Sequence, residues 1–581
     1  MNFTDHLREE HAYLRALADK VGQEKPALAA QLGRHAGDPD VECLIQGAAM
    51  LNAGLRQRLE DGFPEVTQGH LERTWPFPLR PIPACGVVNV SAKASTLDAP
   101  LTLPAGESLS LLSDGRTQVF QTCHALTLQP LALIDRQLLV TNSHSEIRLT
   151  FQYQGPGDTW PTQPLSLFLG DDPQVAATLT LWCEQHQDRP VLQVEGRQWM
   201  LETVLSSPRP TADNRILPHE GETTWALQSL AEYLYLPHVN DFLTLDFGPM
   251  HSGLTLGNSR TFTVILTFNG EIPLTQAQLA SAFMLHCVPV ISLAAQKSAP
   301  IRLLPGQSVY PLPYADDRWV YAITGVSMLE EPDTLRRGRR VQFQPDSELT
   351  PESRYAPDAA LALFYTVRVS GDVLGRMQHE LVLCNSAGEP LIEPPCRAVV
   401  CDLLTTSAQS PTLPLGSPFL LGMAVTDTLD VTTVTRFSTP YPAVVDSHHH
   451  WRLMACLSFS PALLNHRETV QRAIDDFCLH ARHNLPQVRH IRRAVEGITA
   501  VKTEPVNTLM GERLRRGLQM TLTLDDQAFD SPGEAYTFAA ALSVFFTHCL
   551  TTNSFLLLDV ITEPSQRRWA LPLARGQRAM M

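Results

Sequence analysis

The sequence is poor in charged residues and lacks the motifs of the commonest enzyme sites. Charged residues make up 18% of the 581 positions, where about 25% is usual for a soluble protein. Together with 44% hydrophobic residues, this composition excludes an acidic disordered protein. The chain has no G-x-x-x-x-G-K-[ST] phosphate loop, no H-E-x-x-H, no C-x-x-C pair and no acidic calcium loop. The familiar nucleotide, zinc, redox and calcium motifs are therefore excluded.

Secretion signals and membrane-length apolar runs are also missing. Residues 1–10 lack a basic segment followed by an apolar one, and the apolar run around 538–546 is too short to span a bilayer. The eleven cysteines are an odd number and lie scattered, many within apolar runs such as 283–290. This usage is typical of reduced, buried thiols. We expect a cytoplasmic protein that meets a membrane only through partners.

The chain is acidic and rich in proline. Its 45 basic and 60 acidic residues give a formal charge of −15, and proline occurs 44 times. An acidic surface is unsuited to following phosphate backbones, so no nucleic-acid partner is expected. Proline at about 7.6%, against about 5% in ordinary proteins, excludes a mostly helical rod.

The pattern of apolar residues divides the chain into four regions. Residues 1–80 predict helices, 81–270 and 271–435 predict two β-rich domains separated by joints rich in proline and glycine, and 436–581 predict a mixed α/β domain. The expected fold class is α+β and multidomain, with N-terminal helices followed by mainly antiparallel β-domains and the mixed C-terminal domain.

The second predicted helix has the clearest start and an apolar face. Asp38 is placed to cap it, Pro39 suits the first helical position, and Gly62-Phe63-Pro64 stops it. Its apolar face consists of Val41, Leu44, Ile45, Ala48, Leu51 and Leu55.

Four other local signals are strong. Asn269-Gly270 after the strand-like 261–268, and Asp114-Gly115, each predict a β-hairpin turn. The segment 225–234 predicts a helix within the β-rich part of the chain. Ser531 with Glu534 predicts a capped, buried helix that runs to about 550.

Three constellations could carry chemistry, and each has a plainer interpretation. Thr255 between two glycines has the outline of a nucleophile elbow, but a strand follows it rather than the required helix. The three consecutive histidines at 448–450, beside Asp446, could present imidazoles to a metal. Adjacent residues point in divergent directions and no second cluster completes a tetrahedral site, so a solvated loop before Trp451 is the favoured interpretation. Asp476, His480 and His483 could share one helix face as metal ligands, but apolar residues on the opposite face favour their exposure to water.

Two basic clusters stand out in the acidic chain. One comprises Arg336, Arg337, Arg339 and Arg340, and the other comprises Arg513, Arg515 and Arg516. Either could dock an acidic partner or phosphates, but neither is interleaved with aromatic residues for base stacking. The tip of a hairpin is the favoured interpretation of the first cluster. No catalytic centre, metal or cofactor is predicted.

Short motifs in a fixed order along the whole chain resemble the TssF family (also called ImpG or VasA) of type VI secretion baseplate subunits. The motifs near the N-terminus are Glu10, Tyr13-Leu14-Arg15, Pro26, Leu32, Asp38-Pro39, Val41-Glu42, Arg56, Phe63-Pro64-Glu65 and Leu79-Arg80-Pro81-Ile82-Pro83. Those further along are Leu103-Pro104-Ala105-Gly106, Phe120, Glu232-Tyr233, Cys287, Pro289-Val290, Trp451-Arg452-Leu453 and Asn553-Ser554-Phe555. Each fragment is weak alone, whereas their order is specific.

The resemblance implies a structural role and a set of partners. Members of the family are similar to wedge proteins of contractile phage baseplates. Two TssF-like chains associate with one TssG, and this complex joins TssK and TssE. Six such wedges surround the spike protein at the inner membrane face and support assembly of the tail sheath. The chain is thus expected to be a cytoplasmic scaffold without catalytic activity, contacting the membrane only through the membrane complex.

Candidate contact residues follow from the resemblance and the apolar patterns together. They are Val41, Leu44, Ile45, Leu51, Leu55, Arg336, Arg337, Arg339, Arg340, Trp451 and Arg452. Packing of each residue in its own domain core remains an alternative for this set. Two alternative functions also remain open: a metal-dependent hydrolase using Asp476, His480 and His483, and a protein that binds an acidic ligand through the cluster at 336–340.

Overall fold

The computed structural model of the protein describes most of the chain. The described residues are 3–28, 39–60, 64–93, 97, 99–113, 116–141, 143–160, 162–208, 210–211, 214–218, 224–248, 254–313, 317–328, 342–348, 363–371, 377–393, 396–422, 428–482, 484–510 and 513–578.

Helices open the chain and return in its C-terminal part. The helices are α1 (Phe3–Glu24), α2 (Pro39–Glu60), α3 (Pro64–Thr74), α4 (Pro173–Gln185), α5 (Trp225–Tyr235), α6 (Gln276–Leu279), α7 (Ser447–Leu457), α8 (Arg467–Asp475), α9 (Leu485–Glu496) and α10 (Pro532–Thr547). Single turns of 3-10 helix occur at Pro26–Leu28, Phe77–Leu79, Asp346–Glu348, Pro461–Asn465, Asp476–Leu479 and Asp526–Ala528.

Six strands of the β-rich part form a closed barrel. Its order is β1-β15-β4-β3-β24-β25, with β1 (Cys85–Ala92), β3 (Ser108–Ser113), β4 (Arg116–Thr122), β15 (Cys287–Ile291), β24 (Pro418–Leu421) and β25 (Leu429–Thr433). Inward-facing side chains such as Val88, Phe120 and Val290 fill it. The barrel includes strands from both sides of the domain boundary predicted at 270/271. The domain boundaries proposed from the sequence remain predictions.

A five-stranded antiparallel sheet follows the first barrel strands in sequence. Its order is β11-β10-β14-β7-β6, with β6 (Leu131–Val140), β7 (His144–Tyr153), β10 (Val191–Val194), β11 (Arg197–Met200) and β14 (Thr261–Asn269). Helix α4 packs on this sheet through Val175, Ala176 and Leu179. Three strand pairs accompany it: β2 (Leu101–Leu103) with β5 (Leu126–Leu128), β8 (Thr159–Trp160) with β13 (Leu254–Thr255), and β9 (Leu165–Phe168) with β12 (Phe242–Leu245).

An eight-stranded sheet forms the next unit. Its order is β16-β23-β19-β20-β21-β22-β18, with β17 also on β23. The strands are β16 (Ala294–Lys297), β17 (Ile301–Arg302), β18 (Val309–Pro311), β19 (Arg318–Met328), β20 (Gln342–Pro345), β21 (Leu363–Gly371), β22 (Met377–Asn385) and β23 (Ala398–Ser407). Only β20 and β21 of its described pairs run parallel.

The C-terminal unit combines a sheet with helices. The strand order is β26-β27-β28-β29, with β30 on β28, and the strands are β26 (Ile498–Met510), β27 (Arg513–Asp525), β28 (Phe555–Glu563), β29 (Arg568–Ala570) and β30 (Ala574–Arg575). Helix α10 joins the parallel strands β27 and β28, which need such a crossover. The predicted α+β class with mainly antiparallel sheets and a mixed C-terminal region is confirmed.

Several local predictions are confirmed. Helix α5 covers the predicted 225–234, and Ser531 caps α10 by accepting a hydrogen bond from the Glu534 amide at 3.2 Å. Strands β3 and β4 pair directly, Ser113 opposite Arg116, on either side of the predicted turn at 114–115. Cap residue Asp38 lies outside the described residues. All eleven cysteines are free, and most of them are buried, as expected.

Two local predictions are wrong. The run 448–450 is not a solvated loop, because it lies in α7 and His450 is fully buried. His450 lies within hydrogen-bond distance of Thr67 on α3 and of the Val444 carbonyl, which satisfy both ring nitrogens. Asn269-Gly270 ends β14 but forms no hairpin, because the chain continues into α6 and β14 pairs with β7 and β10.

The side chain of Gln68 attaches helix α3 to the eight-stranded sheet. Its amide group bonds the backbone of one strand residue as a neighbouring strand would. The Gln68 amide donates to the Val369 carbonyl at 2.5 Å and accepts from the Val369 amide at 3.0 Å. Arg73 adds an ion pair with Asp346 at 2.6 Å. These contacts fix α3 relative to β21 and to the turn Asp346–Glu348.

We expect Gln68→Ala to expose the backbone of Val369. Loss of both hydrogen bonds leaves a buried donor and acceptor unsatisfied, at a cost of about 1–3 kcal/mol. Hydrogen–deuterium exchange of the peptide that contains Val369 should accelerate by roughly tenfold or more. Gln23→Ala, at an exposed position of α1, is the matched control. Unchanged exchange at Val369 would show that this contact does not hold α3.

Candidate protein interface

The first two helices form a hairpin that packs through small residues. The two helices contact each other, and Ala18 on α1 and Ala49 and Ala53 on α2 are buried. His6 near the start of α1 is buried as well. Alanine allows two helix backbones to approach closely, so these residues suit the seam between the two helices. Among the described residues, none of the buried hydrophobic clusters includes a residue of α1 or α2.

Ion pairs fix the register of this hairpin. Glu42 on α2 accepts a hydrogen bond from His11 at 2.9 Å and pairs with Arg15 at 2.5 Å. The hydrogen bond from His11, helped by the Arg15 cation, holds the pKa of Glu42 below its usual value. Near the other end of α2, Arg56 pairs with Glu10 at 2.9 Å. The two helices are thus joined at two points along the seam.

The side of the hairpin that faces away from this seam is apolar and uncovered. Leu44, Leu51 and Leu55 are 73%, 73% and 64% exposed, and Tyr13 on α1 is also exposed. An amphipathic helix normally buries its apolar stripe. Contiguous exposed apolar surface on a soluble protein usually marks an interaction site.

The predicted apolar face of α2 therefore divides into two sides. Val41 and Ile45 are half-buried, whereas the three leucines face solvent. Sequence periodicity identified the apolar residues but missed the alanine seam, because Ala49 and Ala53 carry little of the apolar signal.

The second candidate segment lies on α7. Trp451 is 52% exposed, and the Arg452 guanidinium is bound to the Asp476 carboxylate through its Nε at 2.7 Å. Asp475 lies 3.9 Å from the same guanidinium. Arg452 is thus held by two carboxylates of the chain itself. Trp451 is therefore the more accessible of these two candidate contact residues. The predicted cluster at 336–340 lies outside the described residues.

The metal-ligand hypothesis is not supported by the geometry. Asp476 is engaged by Arg452, and His480 is buried against the Phe77 ring at 5.2 Å rather than exposed to water as predicted. Burial lowers the pKa of His480 to about 4. His483 lies outside the described residues. No group of three His, Cys, Asp or Glu side chains in the described part of the chain is placed to hold a metal ion.

A buried pair of charged side chains, Arg215 and Glu232, serves the fold. A cavity of about 200 Å³ is bordered by Arg215 and Glu232. The Glu232 carboxylate already accepts hydrogen bonds from the amides of Ile216 and Leu217 and from Gln228. With its lone pairs occupied, this carboxylate is a poor candidate for a general base. Thr255 likewise lies on the short strand β13 rather than at a strand–helix turn.

One exposed element, the outer part of the β26–β27 hairpin, was not identified from the sequence. Strands β26 and β27 are each thirteen residues long and extend beyond the strands beside them, carrying Leu509 and Leu514 into solvent. The alternation at 518–524 indicated only the part of β27 that is buried on one face. The basic residues at 513–516 were the other sequence feature that marked this exposed element.

No helix in the described ranges combines the length and apolarity needed to cross a membrane.

Comparisons with known proteins agree on one family. The family model described as "Type VI secretion system, TssF" matches residues 1–578. The type VI secretion system component TssF1 of Pseudomonas aeruginosa is 22% identical, with 95% of each chain covered.

Two solved structures share the fold. A chain of a TssK-TssF-TssG baseplate subcomplex, determined by cryo-electron microscopy, superposes with a TM-score of 0.73 at 21% identity, covering 92% of this chain and 99% of that one. A chain of a type VI secretion baseplate complex gives 0.64 at 21% identity, with both chains fully covered. Since the family model covers nearly the entire sequence, the chain belongs to the TssF family of the type VI secretion system.

Proposed function

We propose that this protein is a structural subunit of a type VI secretion baseplate. It would form wedge complexes with TssG, TssK and TssE homologues around the spike and support assembly of the tail sheath. The observation that carries the proposal is the family match over residues 1–578. The shared fold with a chain of a TssK-TssF-TssG subcomplex supports it.

The surface of the chain is consistent with a subunit that is covered by others. The α1–α2 hairpin presents Leu44, Leu51 and Leu55 to solvent without a covering element from the described chain. The cores of protein interfaces are depleted in charge, and 18% charged residues is low for a free protein of 581 residues. We assign this apolar side of α2 to contact with the TssG homologue, and Trp451 to a second contact.

The remaining parts of the proposal extend the family role. They are two copies of this chain for each TssG homologue, a cytoplasmic location at the inner membrane face, and contact with the membrane only through the membrane complex. We also propose that the chain has no catalytic activity. The occupied carboxylate of Glu232 and the engaged Asp476 support this part.

The triple variant L44S/L51S/L55S should no longer bind the TssG homologue. Serine removes the apolar surface from a helix face that the chain itself leaves exposed, so the fold should survive while the contact weakens. Buried apolar area contributes about 25 cal/mol per Å², and three leucines lost from an interface core should reduce affinity at least 100-fold. The measurement is co-purification of the co-expressed proteins, followed by light scattering of the complex.

The control is L415S/L420S/I392S, three apolar residues that are exposed elsewhere on the chain. It should co-purify like the wild type. If the wild-type chain behaves as a stable monomer that ignores the TssG homologue, the proposed function is wrong. If the wild type binds and the α2 variant binds equally well, only the assignment of the contact fails.

A further inference from the structure

The outer part of the β26–β27 hairpin stands beyond its sheet. Strand β28 pairs with β27 only from Leu518 onward, so residues 513–517 have no strand on that side. We call residues 504–510 and 513–517 the projecting arm. A two-stranded ribbon is marginally stable in water when nothing packs on it.

One face of the projecting arm carries two leucines into solvent beyond the hydrophobic core. Side chains on a strand alternate, so Val501, Leu509 and their cross-strand neighbours Leu522 and Leu514 lie on one face. Val501 and Leu522 are buried in the core of the C-terminal unit. Leu509 and Leu514 lie directly opposite each other on the same face, and each is 69% exposed. Between the core and these leucines, the same face carries Asn507 opposite Arg516, so Leu509 and Leu514 form a separate exposed apolar pair at the outer end of the arm.

The edge of β26 is protected close to the body. Its outward-pointing groups are occupied by side chains: Asn465 accepts from the Thr503 amide, Gln471 donates to the Ile498 carbonyl, and Arg467 donates to the Thr499 carbonyl. Pro505, at the next outward position, has no N–H to offer. Such an edge disfavours addition of a further strand. This protection ends before Leu509, and the leucine pair is exposed beyond it.

The charge on the projecting arm differs from that of the chain. Arg515 and Arg516 form no ion pair with a carboxylate in the described residues, whereas the whole sequence carries −15. Arg516 shares the face of Leu514, and Arg515 points to the other face. Like charges disfavour the pairing of two arms with each other. An apolar pair flanked by unpaired arginines is complementary to an apolar surface bordered by carboxylates.

We infer that the projecting arm docks on an acidic protein surface of another subunit, which covers Leu509 and Leu514 and pairs carboxylates with Arg515 and Arg516. A nucleic acid is disfavoured, because the described arm has leucines rather than aromatic side chains for base stacking. The inference rests on the proposed function only in that the partner belongs to the same assembly. It concerns a surface far in sequence from the α1–α2 hairpin.

The test is site-specific photocrosslinking in the assembled complex. Benzoylphenylalanine is placed at position 514 of the full chain, co-expressed with its TssG, TssK and TssE homologues, and adducts are mapped by mass spectrometry. We expect an adduct with another subunit, in a segment that contains Asp or Glu. Position 420 is the matched control, because Leu420 is also 69% exposed but lies on β24.

Charge reversal makes the test specific. R515E/R516E should reduce the yield of the adduct at least tenfold without changing the melting temperature, and reversal of the mapped carboxylates to arginine should restore it. R197E, at an exposed arginine on β11, should leave the yield unchanged.

Several outcomes would overturn the inference. They are an adduct yield at position 514 no greater than at position 420, an adduct only with nucleic acid or with a segment without carboxylates, and indifference to charge reversal. In each of these cases the complex still forms and the proposed function stands. If no homologue co-purifies with the wild-type chain, both proposals fall together.

Discussion

Replacement of Glu232 by alanine is expected to lower the free energy of unfolding by about 3–5 kcal/mol. Glu232 and Arg215 are both buried, with their charged atoms 3.7 Å apart. Removal of one member of a buried ion pair leaves the other charge without compensation in a poorly solvating interior. Arg215 would then retain its hydrogen bonds to the carbonyls of Thr211 and Trp225 and its contact with the Trp225 ring, but no carboxylate partner within the described residues.

The carboxylate of Glu232 also satisfies backbone groups. It accepts from the amides of Ile216 at 3.4 Å and Leu217 at 3.1 Å, and from Gln228 at 2.9 Å. These contacts attach the segment at 214–218 to α5. Glu232→Gln keeps one acceptor oxygen but loses the charge. We therefore expect its free energy of unfolding to lie between those of the wild type and the alanine variant.

The measurement is urea denaturation at pH 7, followed by tryptophan fluorescence, which includes Trp225 next to the Arg215 guanidinium. Glu202→Ala, at an exposed glutamate, should change the free energy of unfolding by less than about 0.5 kcal/mol. If Glu232→Ala were as stable as that control, the network would have no role in holding α5.

Local signals in the sequence were sufficient where the stabilising contacts are local. The capping of α10 by Ser531 depends on residues three positions apart, and α5 follows from its apolar content. Helix α7 escaped prediction for the opposite reason. Its three consecutive histidines suggest a solvated loop, and His450 is satisfied inside the protein by Thr67, 383 residues away. No local pattern contains that contact.

The arrangement of strands was also beyond sequence periodicity. Alternation predicts that a segment is a strand but not which strand lies beside it. In the barrel, Cys85 lies opposite Ile291, and Val90 lies opposite Val431. These pairings join segments more than 200 residues apart, so a division of the chain into consecutive domains could not anticipate them.

The candidate interface shows the same limit. Periodicity identified Leu44, Leu51 and Leu55 as apolar, but an apolar helix face looks the same in sequence whether a neighbouring helix or another subunit covers it. Exposure in the structure distinguishes the two cases. The small residues Ala49 and Ala53, which contribute little hydrophobicity, form the seam with α1 because they allow close approach.

Acidification from pH 7 to pH 5 is expected to destabilise the fold strongly through three buried histidines. Burial lowers the pKa of His286, His379 and His480 from 6.5 to about 4 in each case. They belong to different parts of the fold: His286 precedes the barrel strand β15, His379 lies on β22, and His480 lies beside Phe77 in the C-terminal core. Their effects should therefore be nearly additive.

The direction of this pH dependence of stability follows from which state, folded or unfolded, binds the protons. Well above pH 6.5 each histidine is neutral in both states and the penalty is absent. Between pH 6.5 and pH 4 the unfolded chain binds a proton that the folded chain refuses, so stability falls as the pH falls. At pH 5 each histidine costs about 2 kcal/mol, or roughly 6 kcal/mol for a chain that unfolds as one unit.

His286→Gln should reduce this pH dependence by about 2 kcal/mol, the contribution of one buried histidine at pH 5. Glutamine can still accept the hydrogen bond that the Gln129 amide donates to His286 at 3.1 Å, but it does not titrate. The comparison is the difference in unfolding free energy between pH 7 and pH 5, measured by urea denaturation for the wild type, this variant and His70→Gln. His70 is exposed on α3, so its substitution should leave the difference unchanged. An equal pH dependence in all three proteins would mean that His286 takes up its proton without unfolding, and that its burial does not limit the stability of the fold in acid.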